Sequence, residues 1–138
     1  MSEAIQGMIL FVDDVRDEVG GKTSLMGIAG QSIDVFGSDS VRQSITLMFW
    51  APPGEHKVKG TIVVENAPDD YKQPPPLNTT IPDQGGEGRT LVQMVARLRP
   101  IKLGEAAVRI IAKFTVDQTE FSSEMTFDYK GSDRPPGI

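Results

Sequence analysis

The chain has 138 residues, 38% of them hydrophobic and 24% charged, enough to bury the core of one domain without a metal or disulfide staple. Its 14 Lys plus Arg against 19 Asp plus Glu leave a net charge of −5, which opposes condensation on nucleic-acid phosphate or anionic lipid. Cysteine is absent, so disulfides, thiol catalysis and thiolate metal sites are excluded.

Met1 to Gly7 lacks the basic start and long apolar core of a signal peptide, and the apolar run Met8 to Val12 is too short to span a bilayer. With the lack of cysteine, this predicts a cytoplasmic protein. Two strands follow, Gly7 to Val15 and Lys22 to Ala29, joined by a turn at Val19-Gly20-Gly21 whose glycines supply positive φ. After a bend at Gly30 comes a short apolar piece, Ile33 to Phe36, ended by Gly37-Ser38-Asp39-Ser40.

Val41 to Trp50 places Ile45, Leu47 and Phe49 on one face and Thr46, Met48 and Trp50 on the other, a pattern expected of a strand covered on both sides. After Pro52-Pro53-Gly54-Glu55, Val58, Gly60, Ile62 and Val64 alternate with polar neighbours, so the two strands read as a hairpin. Residues 67–89 break the rhythm. They hold Pro68, Pro74, Pro75, Pro76, Pro82, Gly85, Gly86 and Gly88 with little hydrophobic periodicity, and a structureless loop of that length is expected to be functional or disordered.

Leu91 to Arg99 resumes the alternation, with Val92, Met94, Ala96 and Leu98 on one face, until Pro100. The clearest pattern comes last. Val108, Ile110, Ala112, Phe114 and Val116 share one face, Asp117-Gln118 make a tight turn, and Phe121, Ser123, Met125, Phe127 and Tyr129 share the face of the returning strand. Gly131 to Ile138 reads as a flexible tail. About seven strands with turn signals between them predict an all-β fold. The expected form is a two-sheet antiparallel sandwich, immunoglobulin-like, spanning residues 1–130, with a closed barrel as the alternative.

Chemistry is sparse. The one histidine, His56, reads as a solvent-exposed turn residue, and no nucleophile elbow, phosphate loop or zinc-protease motif occurs. Asp13, Asp14, Asp17 and Glu18 surround Arg16 densely enough to raise a hard-cation site, but strand alternation splits Asp13 from Asp14, so pairing with Arg16 or Lys22 is the simpler account and no metal is assigned. The residues set aside for partner binding are Trp50, at a strand end, and Tyr71, Pro74, Pro75, Pro76 and Leu77 in the proline-rich loop; Tyr71 and Leu77 could equally pin that loop to the sheet.

Phe11-Val12-Asp13-Asp14-Val15-Arg16-Asp17-Glu18, followed by Gly21-Lys22-Thr23-Ser24-Leu25-Met26-Gly27-Ile28, resembles the opening of a family of small bacterial proteins catalogued as a domain of unknown function. The turn Pro53-Gly54-Glu55-His56 and the pair Gly104-Glu105 are also similar, whereas the proline-rich loop departs from the family pattern. The resemblance implies a β-sandwich and brings no catalytic residues.

The expected function is therefore that of a noncatalytic, cofactor-free module that binds a protein or small ligand through its loops or a sheet edge, or pairs with its own copies. The alternatives are a structural subunit of a larger assembly, such as a phage particle, and a carboxylate-based metal-dependent binder or enzyme.

Overall fold

The computed structural model describes residues 5–18, 22–28, 32–37 and 39–131. Within them the chain forms β1 (Gln6–Glu18), β2 (Lys22–Ile28), β3 (Ser32–Val35), β4 (Ser40–Val41), β5 (Ser44–Ala51), β6 (His56–Glu65), β7 (Leu77–Ile81), β8 (Thr90–Arg97), β9 (Ile101–Lys102), β10 (Val108–Val116) and β11 (Thr119–Tyr129), with no helix. Two sheets carry the fold, one four-stranded in the order β2-β1-β5-β8 and one five-stranded in the order β3-β11-β10-β6-β7; β4 and β9 form a small separate ladder. The result is an all-β sandwich that stays open at its edges and does not close into a barrel.

The sheets meet because each strand turns one set of alternate side chains inward. Phe11, Ile45, Leu47 and Phe49 from the first sheet join Val58, Ile62, Val64, Val108, Ile110, Phe114, Val116, Met125 and Phe127 from the second in one buried cluster. The β10–β11 hairpin has the predicted register, closing from Val116 opposite Thr119 through a two-residue turn in which Asp117 takes φ 54°, a conformation that Asp tolerates better than most residues. The expected turn at Val19-Gly20-Gly21, the expected bend at Gly30 and the expected tail beyond Gly131 lie outside the described residues.

Three expectations need correction. β5 and β6 do not form a hairpin: β5 lies between β1 and β8 in the first sheet, and β6 lies between β10 and β7 in the second. Pro52 to Glu55 therefore carries the chain from one layer to the other. Local alternation marks both strands but is blind to the sheet each joins.

The 67–89 segment is not structureless, because Leu77–Ile81 pairs antiparallel with β6, with His56 opposite Ile81 and Gly60 opposite Leu77. Leu77, Thr79 and Ile81 turn inward in period two, and the flanking Pro76 and Pro82 obscured that short pattern. Ahead of β7, the amide of Gln73 does the work of a strand neighbour. Its Nε2 donates to the Val64 carbonyl and its Oε1 accepts from the Val64 N–H, each at 2.8 Å. Finally, the sandwich is not wholly antiparallel, since β3 runs parallel to β11.

Among the described glycines, Gly60 leaves the least room for a side chain. It sits directly opposite Phe114, and a Cβ built on it would lie 2.2 Å from Phe114 Cδ1, so the ring occupies the space of a side chain at position 60. An aromatic lying across a strand glycine shields the bare backbone and fills the sheet. Gly60→Ala should therefore destabilise the fold by about 1–3 kcal/mol through overpacking, read as a lower urea midpoint. The exposed neighbour Thr61 is the control, with Thr61→Val expected to stay within about 0.5 kcal/mol of the parent.

Candidate docking face

Directly opposed residues in an antiparallel pair share a face. Around β5 this rule sets out three rows on the outer surface of the first sheet: Gln6, Trp50 and Leu91; Met8, Met48 and Gln93; Leu10, Thr46 and Val95. The rows between them, such as Ile9, Leu47 and Met94, point into the core. The outer rows are unexpectedly apolar. Met8 is 54% exposed and Trp50 46%, with Leu91 at 38% and Val95 at 36%.

Thr46 sits in the middle of this surface, fully buried between its neighbours, and its Oγ1 has no hydrogen-bond partner among the described residues. An orphaned buried hydroxyl keeps its desolvation penalty without recompense.

The outer surface of the second sheet contrasts with this. A trough of about 730 Å³ runs across it, lined by Lys59, Lys113 and Glu120 together with Leu77, Phe114 and Phe121. Farther along, Arg109 is gripped by Glu124 and lies 3.9 Å from Glu65. The two layers thus share a core, and the outer surface of the second is mixed, with Val63 45% exposed beside these charged groups.

The residues set aside for partner binding do not converge. Trp50 belongs to the apolar face, half-exposed at the end of β5, so the cover expected on both sides of that strand does not extend to it. Tyr71 and Leu77 are partly buried against the core, and the Tyr71 hydroxyl donates to the Arg99 carbonyl at 3.2 Å. These two residues pin the loop. Pro74 and Pro75 line a hollow against Ala96 to Arg99, and Pro76 borders the trough on the second sheet.

Met48 and Trp50 are legible in the sequence as the second face of β5, whereas Met8, Leu91 and Val95 are missed when a strand is assigned a single apolar face. The signal was present in Leu91 and Val95, which occupy the side of β8 that also bears Gln93 and Arg97.

His56 is not exposed. Only 6% of its surface reaches solvent. Its Nδ1 donates to Asp117 Oδ2 and its Nε2 to the Pro52 carbonyl, both at 2.7 Å. Two acceptors on two ring nitrogens require the doubly protonated imidazolium. Asp117 also accepts from the Lys57 N–H at 3.0 Å, and its own N–H donates to the Lys57 carbonyl at 2.8 Å. The group ties the crossing between sheets to the β10–β11 turn and leaves no lone pair on His56 for proton abstraction.

Among the described residues no cluster of three or more metal-ligating side chains forms. Asp13 is exposed on β1, and the side chains of Asp14, Asp17 and Glu18 lie outside the described part. No described helix is long and apolar enough to cross a membrane.

No family model and no curated protein matches the chain. Among solved structures it is similar to a family 123 glycoside hydrolase from Clostridium perfringens, with a TM-score of 0.43 and 13% identity over 96% of this chain and 28% of that one. The chain thus spans little more than a quarter of that enzyme, and a likeness at this level bears on neither activity nor substrate.

Two measurements check the site's physics. Thr46→Val removes the orphaned hydroxyl at nearly constant shape and should raise stability by up to about 1 kcal/mol; a clear loss would show that the hydroxyl has a partner.

The second concerns pH. Burial alone lowers the His56 pKa, but the Asp117 hydrogen bond, the Pro52 carbonyl and the charges of Asp117 and Asp83 outweigh it, moving the pKa above its ordinary 6.5. Burial raises Asp117, yet the bonds from His56 and the Lys57 N–H bring it below 3.8. The imidazolium's contribution is therefore complete below pH 6.5 and fades as pH rises through the folded value. The carboxylate's contribution is present above pH 3.8 and fades as pH falls through its own depressed value. His56→Gln should be least stable relative to the parent near pH 5–6, with the gap in urea midpoint narrowing toward alkaline pH; a gap constant with pH would contradict the charged pair.

Proposed function

We propose that this chain is a noncatalytic, cytoplasmic β-sandwich module that binds a protein partner through the outer face of β1, β5 and β8. One observation carries the reading. Of the five large hydrophobic side chains most exposed among the described residues, Met8, Trp50, Leu91 and Val95 share that face, and only Val63 stands elsewhere. Contiguous exposed apolar surface is what interaction sites present, and tryptophan is enriched among the residues that anchor binding.

The exposed side chains are spread over three neighbouring strands, which suits a protein surface better than a small molecule. The engagement of both His56 nitrogens supports a noncatalytic role, and the absence of cysteine supports a reducing compartment. A structural role in a larger assembly is the second reading, favoured by the outer edge of β8, which among the described residues bonds to β5 alone.

The chain's one tryptophan makes the proposal measurable, because Trp50 lies within the face. Anilinonaphthalene sulfonate should bind there and accept excitation energy from Trp50. The double variant Met8→Ser/Leu91→Ser keeps the tryptophan and should lose dye binding severalfold while its urea midpoint stays close to that of the parent. Undiminished dye binding by a folded double variant would refute the assignment.

A further inference from the structure

We infer that the partner chemistry includes a second copy of this chain, joined by antiparallel pairing of β8 with β8 about a two-fold axis through Gln93. This deepens the docking reading by naming an occupant, but it uses the strand's edge as well as its face. β8 is the last strand of its sheet and bonds, among the described residues, to β5 alone. A terminal strand presents a row of unpaired N–H and C=O groups, and most proteins guard such edges with charge, proline or a break in the strand.

The other described edges follow that custom. β7 has Pro76 before it and Pro82 after it, β3 is four residues long and contains Asp34, and β2 begins at Lys22 and contains Gly27. β8 is different. Its eight residues read Thr-Leu-Val-Gln-Met-Val-Ala-Arg, without proline or glycine and with a single charge, Arg97, at the last position.

Facing residues must share a side of the sheet, so a two-fold axis between two β8 strands passes through a residue. Through Gln93, Leu91 meets the second copy's Val95, Val92 meets its Met94, and Thr90 meets its Ala96. Shifting the axis to Met94 sets Leu91 against Arg97, and shifting it to Val92 sets Val95 against Arg89. The Gln93 axis alone among these keeps apolar residues opposite apolar ones.

The inner side of β8 points the same way. Val92, Met94 and Ala96 belong to the core face but are only partly buried, and beside Met94 and Ala96 an apolar slot of about 130 Å³, lined also by Ile45, Ile62, Leu77 and Phe114, opens between the sheets. A strand laid along β8 would cover them. The proline-rich loop leaves room, since a hollow of about 480 Å³ separates residues 71–75 from Ala96 to Arg99.

At both ends of the pairing Arg89 faces the second copy's Arg97, and each chain carries a net charge of −5. A single strand pair also covers less surface than the roughly 1,200–2,000 Å² of stable interfaces. The expected dimer is therefore weak, concentration-dependent and strengthened by salt.

Sedimentation equilibrium on the full chain, its Gln93→Lys and Gln93→Glu variants, and their equimolar mixture tests the inference. Gln93 is exposed, so both variants should fold. The parent should show a monomer–dimer equilibrium that tightens with salt. Each variant, placing like charges on the axis, should associate about fivefold or more weakly. The mixture should recover the dimer, because Lys then meets Glu.

A parent that stays monomeric to millimolar concentration overturns self-pairing while leaving the docking face, read independently by energy transfer from Trp50 to the dye. A dimer indifferent to both variants overturns the use of β8. Two monomeric variants whose mixture is also monomeric overturn the axis at Gln93.

Discussion

A pleated strand has two faces, and a two-layer sandwich can bury only one face of each sheet. In this protein that constraint divides the side chains by parity. Ile45, Leu47 and Phe49 are committed to the shared core, and the residues between them are released to whatever lies outside. The second sheet uses that freedom in the ordinary way, setting Lys59, Thr61, Lys113 and Ser122 toward solvent. The first sheet does not. Its outward rows hold methionines, a tryptophan, a leucine and a valine that lie outside the buried cluster between the sheets.

The same geometry accounts for the edges. Because neither sheet closes on itself, backbone polar groups are left over at the terminal strands, and each such strand needs either protection or a neighbour. β7 shows protection at work: prolines bracket it, and just upstream the Gln73 amide satisfies both backbone groups of Val64 where no strand continues. β8 has Leu91 and Val95 on its outer side, a half-covered inner side and a backbone edge between them that bears no charge before Arg97, which is why its face and its edge are parts of one surface.

Legibility in the sequence followed the range of the interactions. The β10–β11 hairpin was readable because every determinant is local: alternation on both strands, Asp117 in the turn, and the tight spacing between them. β7 was hidden because five residues between prolines offer too short a period to count, and what makes them a strand is β6, reached across the intervening loop. His56 was misread for a related reason. Its partner Asp117 is 61 positions away, and nothing near residue 56 foretells a buried imidazolium. The false β5–β6 hairpin shows the limit from the other side, because alternation reports that a strand has an inner face and is silent on which layer supplies it.

The clamp formed by His56 and Asp117 stands where that silence matters most. At Pro52 the chain leaves the first sheet, and at His56 it enters the second; the imidazolium bonds to the carbonyl of the first position and to the turn carboxylate beyond β10. Both bonds need the ring protonated, so the crossing is held by a charge, whereas the surrounding core is held by apolar contact that does not titrate. The apolar outer face is built on the crossing's other end, since Trp50 lies two residues before Pro52. Loosening the clamp at alkaline pH would therefore disturb the end of β5 first, and with it the row of Gln6, Trp50 and Leu91, before the rows through Met48 and Thr46 that lie deeper in the sheet.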